Sequence, residues 1–221
     1  MLYFIPTPIG NLEDITLRAI TLLKSADIIF CEDTRITGKL LKHFGITTTM
    51  ISIVSNGETN LRRLTELLRL YKGETIAVVS DAGMPGISDP GFEILTIAQN
   101  LAIPYSVIPG ASASITAAVA SGLIKKDFWF IGFLPHKKGR MTAWKNIASA
   151  TIPVILYESV HRIEKSIQEM QEYLQPSQRV FVGRELTKMF EEYWSGSIED
   201  LAKKEFTLKG EFVIVIAPVD F

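Results

Sequence analysis

Through its first half the chain alternates short apolar, β-branched runs with stretches whose apolar residues recur at helical spacing. The runs are Leu2–Ile5, Asp27–Cys31, Thr49–Ile53, Thr75–Val79 and Tyr105–Ile108. Between them lie helical patterns from Ile15 to about Lys24 with Asp14 as N-cap, from about Arg35 to His43, over Asn60–Tyr71 and over Phe92–Leu101. Gly45 and Gly73 stand where the second and third helices should stop. Strand and helix alternating through short links require a mostly parallel sheet with helices on both faces. A further helix opens after Pro109-Gly110 and runs to about Ser121. Its first turn is rich in small residues, which suits either a polar ligand at a helix N-terminus or close helix packing.

After Gly122 the pattern changes. Strands are expected at Phe128–Phe133, Pro153–Tyr157, Arg179–Val182, Glu192–Ser195 and Glu211–Ala217, with helices at Met141–Ser149 and Ile163–Leu174. Ser197 with Asp200 reads as a capping box for one short helix more. Strands here outnumber helices, so this sheet should be mixed. The chain therefore reads as two α/β domains, residues 1–112 and 113–221, with a ligand cleft expected between them.

Composition narrows the function classes. At 221 residues the chain can build substantial cores. A net charge of −1 gives no global basic field, although a local patch suffices for RNA. The single cysteine, Cys31, permits no internal disulfide and sits in an apolar run, as a core residue would. With it, the three scattered histidines form no recognisable metal site, and no apolar run has the length of a membrane span. The expectation is a soluble, cytoplasmic, metal-free protein. No P-loop, GxGxxG, HExxH or nucleophile elbow occurs.

The most unusual stretch is Ser80–Gly91, which packs three glycines, two prolines and two aspartates between a strand and a helix. Glycine admits close approach to the backbone and proline fixes loop shape. In open α/β sheets ligands bind beyond the carboxyl ends of the strands, so this loop is a candidate ligand floor. Counting Ser80-Asp81, polar clusters fall at four expected strand ends or just past them, the others being Glu32–Arg35, Glu158-Ser159 with His161-Arg162, and Arg184-Glu185, beside the Pro/Gly loop Pro6–Asn11. Asp81 can accept from a ribose or an amine, and Arg162 and Arg184 can hold a phosphate or carboxylate. The loop Leu134–Arg140 carries Lys137, Lys138 and Arg140, suited to an RNA backbone or simply to solvent.

In chain order stand Thr7–Leu12 with Asp14–Arg18, Glu32–Arg35, Ser80–Gly91, Pro109-Gly110 with Ser112, Gly132–Pro135, Tyr157–Ser159 with His161-Arg162, and Arg184–Lys188. This ordered set resembles the ribosomal RNA small subunit methyltransferase I family, a branch of the tetrapyrrole methylases. The resemblance implies S-adenosylmethionine-dependent 2′-O-methylation of a cytidine in the decoding region of 16S rRNA, by a homodimer acting on the small ribosomal subunit. It implies cofactor contacts at Pro8, Ile9, Gly10, Asp81, Gly83, Met84, Ile87, Ser112, Ser114, Ile115, Leu156 and Tyr157, with Gly183 and Phe212 as outer members. The donor methyl is already activated, so the protein must align the reactants and help remove a hydroxyl proton. Glu32, Asp33, Glu158 and Glu185 are the carboxylate candidates for that task. Arg35, Arg162, Arg184 and Lys188 are candidates for assisting it or for gripping phosphates. Val160 stands where the family commonly has proline, and Ser52–Glu58 replaces a His/Glu-rich run. Two other readings are a methylase of a tetrapyrrole or modified-histidine substrate and a catalytically silent cofactor-binding module.

Overall fold

The computed structural model describes residues 1–53, 58–87, 89 and 91–221. Most of the Ser52–Glu58 replacement, together with Ser88 and Pro90 of the Ser80–Gly91 loop, lies outside the described residues. The chain forms two compact units, Met1–Ser112 and Ala113–Phe221.

The first unit is a five-stranded sheet of β1 (Leu2–Phe4), β2 (Ile28–Cys31), β3 (Met50–Ser52), β4 (Ile76–Val79) and β5 (Tyr105–Val107), in the order β3-β2-β4-β1-β5. Every pairing is parallel. The helices are α1 (Leu17–Ser25), α2 (Thr34–His43), α3 (Glu58–Leu70) and α4 (Gly91–Asn100). Side chains alternate across a strand, so one sequence feeds two cores. Leu2, Phe4, Ile28, Phe30, Ile76 and Val78 pack with Leu64 and Leu68 of α3 and Ile94 of α4. Ile29, Cys31, Ala77 and Val79 pack on the other face with Ala19 and Leu23 of α1 and Leu41 of α2. That double burial is why these strands read as unbroken apolar runs.

The start of α1 differs from the sequence reading. The N-cap of α1 is Thr16, whose hydroxyl accepts from the Ala19 N–H at 3.0 Å. Asp14 instead ends a 3-10 turn, Leu12–Asp14, capped by Asn11. A threonine oxygen three residues before an orphan N–H also caps a helix, and here it is Thr16 that lies at that distance from the Ala19 N–H.

The second unit contains α5 (Ala113–Ser121), β6 (Trp129–Phe133), α6 (Arg140–Ala148), β7 (Val154–Ser159), α7 (Ile163–Tyr173), β8 (Arg179–Arg184), β9 (Glu192–Ser197), α8 (Ile198–Leu201) and β10 (Glu211–Ile216). The sheet order is β6-β7-β10-β8-β9. The β6–β7 pair is parallel and the others are antiparallel. Val154, Leu156, Phe212, Ile214, Val180 and Val182 face a core with Trp144, Ile163, Met170 and Leu201. Helix α5 packs against β7, β8 and β10, on the opposite face, where Tyr157 accepts from the Ser114 N–H at 3.2 Å. Ser197 and Asp200 make the capping box of α8. Strands β7 and β8 run two residues further than the apolar pattern suggested. No helix among the described residues is long and apolar enough to cross a membrane.

Candidate active site

Because the first sheet is wholly parallel, the loops after all its strands leave from one edge. Three of those loops are laced together. Thr7, after β1, exchanges main-chain hydrogen bonds with Gly83, after β4, both at 3.0 Å. The buried Thr7 hydroxyl donates to the Ser80 carbonyl at 3.1 Å. A side chain at Gly110, after β5, would strike Pro6 at 2.8 Å. Gly83 has a φ of +78° and lies against Ile9 and the Ala111 carbonyl, so only glycine suits it. Asp89 folds the rest of the loop around its carboxylate, accepting from Gly86 N–H at 2.7 Å and Gly91 N–H at 2.8 Å. Pro8 and Ile9 are buried, Asp81 and Met84 partly so, while Gly10 and Ile87 are exposed.

The loop after β2 joins this edge through acids. The Asp33 N–H donates to Asp81 Oδ1 at 3.0 Å. Glu32 lies close enough to Asp81 that burial, then the Asp81 charge, raises its pKa. Burial also leads the upward shift of Asp81, with the Asp33 charge adding to it. Asp33 goes the other way: hydrogen bonds from Arg35 pull it down to about 2. Arg35 forks onto Asp33 through Nε and Nη2, yet its side chain is 87% exposed. A pair this exposed adds little to stability, and the guanidinium stays accessible to an anion from solvent. The edge thus presents two carboxylates with raised proton affinity beside an exposed arginine.

In the second unit, Tyr157, Val213 and Gly183 form a row across the sheet on the face covered by α5. Tyr157 sits among the rings of Phe130 and Phe133, and its hydroxyl meets the first turn of α5. Ser114 is buried there and Ile115 is exposed, while Ser112, the last residue of the first unit, is partly buried. Any side chain at Gly183 would meet Leu186 at 2.8 Å, so this glycine serves packing within the unit. Leu156 and Phe212 turn their side chains into the other core, leaving only main chain for a ligand.

Several polar residues flagged from sequence prove to be held by protein partners. Glu158 has a side-chain exposure of 0% and pairs with Arg162 at 3.0 Å and Arg140 at 3.6 Å. It also accepts from Ser166 Oγ at 2.6 Å and from the Ser159 N–H at 2.8 Å. Arg140 is only 4% exposed and bonds Glu169 and Ser166, so it does not face solvent as Lys137 and Lys138 do. Arg184, the last residue of β8, is buried and donates to Glu192 and to the carbonyls of Lys209 and Phe190. Glu185 and Glu211 share Lys188, at 2.7 and 3.1 Å; burial pushes the Glu185 carboxyl up, but the Lys188 bond, the Glu211 N–H and the Lys188 and Arg184 charges together bring it down. Ser166, Glu169 and Val213 escaped the sequence reading. The readable hint was Ser166, a polar residue in register with Ile163 and Met170 on a buried helical stripe.

Comparison with known proteins agrees with this architecture. The family model described as Tetrapyrrole (Corrin/Porphyrin) Methylases matches residues 1–202. A ribosomal RNA small subunit methyltransferase I from Halalkalibacterium halodurans is 47% identical over 219 residues, 97% of this chain and 75% of that protein. One of the same name from Hydrogenobaculum sp. is 46% identical over 98% of this chain and 95% of its own length. Among solved structures, the native uroporphyrin III C-methyl transferase of Thermus thermophilus superposes with a TM-score of 0.69 at 16% identity, covering 98% of this chain and 96% of its own. That enzyme is also known complexed with S-adenyl homocysteine. The methyltransferase CobJ superposes with a TM-score of 0.72 at 17% identity, over 99% of this chain and 94% of its own. These distant structures share the fold.

Proposed function

We propose that this chain, which belongs to the ribosomal RNA small subunit methyltransferase I family of the tetrapyrrole methylases, transfers a methyl group from S-adenosylmethionine to small-subunit ribosomal RNA. The observation that carries the reading is identity of 46–47% to relatives of that name along 97–98% of the chain. The acceptor is the 2′-hydroxyl of a cytidine in the 16S decoding region, and the working form is a cytoplasmic homodimer.

The residues present fit the cofactor. S-adenosylmethionine supplies a methyl group on a positively charged sulfur. Glu32 and Asp81, whose proton affinity is raised by burial and by neighbouring negative charge, gain from a nearby cation. In this reading Pro8, Ile9, Gly10, Gly83, Met84 and Ile87 bind through main chain and apolar surface, and Asp81 accepts from a hydroxyl or amine. Ser112, the last residue of the first unit, and Ser114, Ile115 and Tyr157 of the second contribute directly, and Leu156, Gly183 and Phe212 through main chain. Glu32 is the favoured proton acceptor, because a base works best when its pKa moves toward the operating pH. Asp33, pulled down to about 2, orients Arg35, which grips an RNA phosphate. Glu158, Arg162, Arg184 and Glu185 act through the protein partners they hold. Lys137 and Lys138 meet the RNA backbone, whereas Lys188 is held by Glu185 and Glu211 and is not counted among the phosphate contacts.

Partition of a labelled methyl group tests the reading. Labelled cofactor is offered small subunits from cells lacking the modification, a uroporphyrin-type macrocycle, and a modified-histidine protein. The expected result is label in 16S rRNA alone. Label in the macrocycle or the protein would overturn the RNA assignment. Saturable cofactor binding with no transfer to any acceptor would leave a silent binding module.

A further inference from the structure

We infer that Arg162 and Arg140, anchored on the buried Glu158, are positioning residues that set the main chain of loop 134–139 in the free protein, so that Lys137 and Lys138 meet RNA phosphates with no further ordering on contact. The inference rests on the RNA reading above.

The loop is fastened at its stem and bare at its tip. Leu134 and Arg140 are buried, while residues 135–139 are exposed. Arg162 Nη1 donates to the Leu134 carbonyl at 3.0 Å, and Arg140 Nη1 donates to the Pro135 carbonyl at 3.3 Å. The Arg140 N–H closes the far side on the Lys137 carbonyl at 3.2 Å, and Gly139 turns into α6 with a φ of +89°. Arg162 also stacks its guanidinium 5.7 Å from the centre of the Phe133 ring, at the end of β6.

Beneath the loop, Glu158 has both oxygens occupied. Oε1 takes Arg162 and the Ser159 N–H, and Oε2 takes Ser166 and Arg140. Glu169 holds Arg140 from the other side at 2.7 Å and accepts from the Trp144 indole N–H at 2.8 Å. A carboxylate so enclosed cannot reach a substrate proton. Nor is the cluster accounted for by stability alone, since removing several charges from water is offset poorly and apolar side chains of equal volume serve as well. An apolar cluster would lack one thing: N–H donors aimed at two consecutive loop carbonyls. Adjacent lysines on a loose loop would spread, and ordering them on contact would subtract from affinity. Fastening the stem in the free protein removes that cost.

The test is a double-mutant cycle. Arg162→Lys keeps a charge opposite Glu158 but loses the fork that also reaches Leu134. Wild type, Arg162→Lys, the Lys137→Ala/Lys138→Ala pair and the combined variant are compared for KM toward small subunits, KM toward cofactor, and kcat. Hydrogen exchange of the loop amides is measured without RNA, with protection of β10 amides as the check on folding. Arg162→Lys is expected to raise the KM for subunits roughly tenfold or more, as loss of one charge-assisted bond would. The KM for cofactor stays unchanged and the loop amides exchange faster. In the Lys137→Ala/Lys138→Ala background the Arg162 change should add nothing further to the KM for subunits. Additive effects, or unaltered loop exchange, would overturn the inference while leaving the RNA reading intact. A wild-type protein that methylates no RNA would overturn both.

Discussion

Asp81 has two tasks that one substitution can separate. Its Oδ1 holds the Asp33 N–H, and its charge is proposed to face the cofactor. Asp81→Asn keeps an oxygen for the N–H and removes the charge. It should melt close to wild type yet bind S-adenosylmethionine about tenfold or more weakly, the scale of one charged hydrogen bond. Calorimetric titration beside a melting curve checks both; unchanged affinity would take Asp81 out of the cofactor site. Since Glu32 and Asp81 are both shifted up, a bound cation should draw their pKa values down. Binding then releases protons, and affinity should fall as pH is lowered through the range in which these acids protonate. Asp33 has the opposite sign of effect on stability. Its folded pKa of about 2 lies below the ordinary value of 3.8. The small stabilisation this solvent-screened pair gives is therefore complete above about pH 4 and is lost as pH falls toward 2. Asp33→Asn should flatten that part of the acid melting profile. None of these signs was legible in the sequence, which shows three acids but not which of them lies against which.

At the scale of elements, strand positions were legible because double burial writes itself as unbroken apolar runs. Strand ends were not. The polar pairs Glu158-Ser159 and Gly183-Arg184 look like loop residues, yet they complete β7 and β8. A buried charge is tolerated only with partners, and those partners, Arg140 and Ser166 for Glu158, Glu192 for Arg184, lie far away or on other elements. Local pattern cannot register them. The Ser80–Gly91 loop was recognisable as special, and the structure shows its glycines meeting protein backbone and its Asp89 holding the turn. Asp89→Ala leaves the Gly86 and Gly91 N–H groups without their acceptor. It should cost about 1–3 kcal/mol, a fall of several degrees in Tm for a chain this size, measurable by thermal unfolding. An unchanged Tm would show that this loop finds other acceptors.

For the whole molecule, alternation of strand and helix was enough to foresee a parallel sheet followed by a mixed one, and the ordered motifs were enough to name the family. Overall charge was uninformative about the substrate: a chain of net charge −1 reads RNA, in this account, through Lys137, Lys138 and Arg35 alone. So few phosphate contacts should give a shallow salt dependence. Each neutralised phosphate contributes a slope of roughly 0.7–0.9 in log affinity against log salt, and the Lys137→Ala/Lys138→Ala pair should lower the slope by about 1.5. The central claim is methyl transfer to a ribose of small-subunit RNA, and nucleoside analysis of 16S rRNA measures it directly. After incubation of modification-free subunits with the protein and S-adenosylmethionine, digestion should yield 2′-O-methylcytidine at an alkali-resistant linkage. A methyl group on a base, or none under conditions in which a control enzyme goes to completion, would contradict the account.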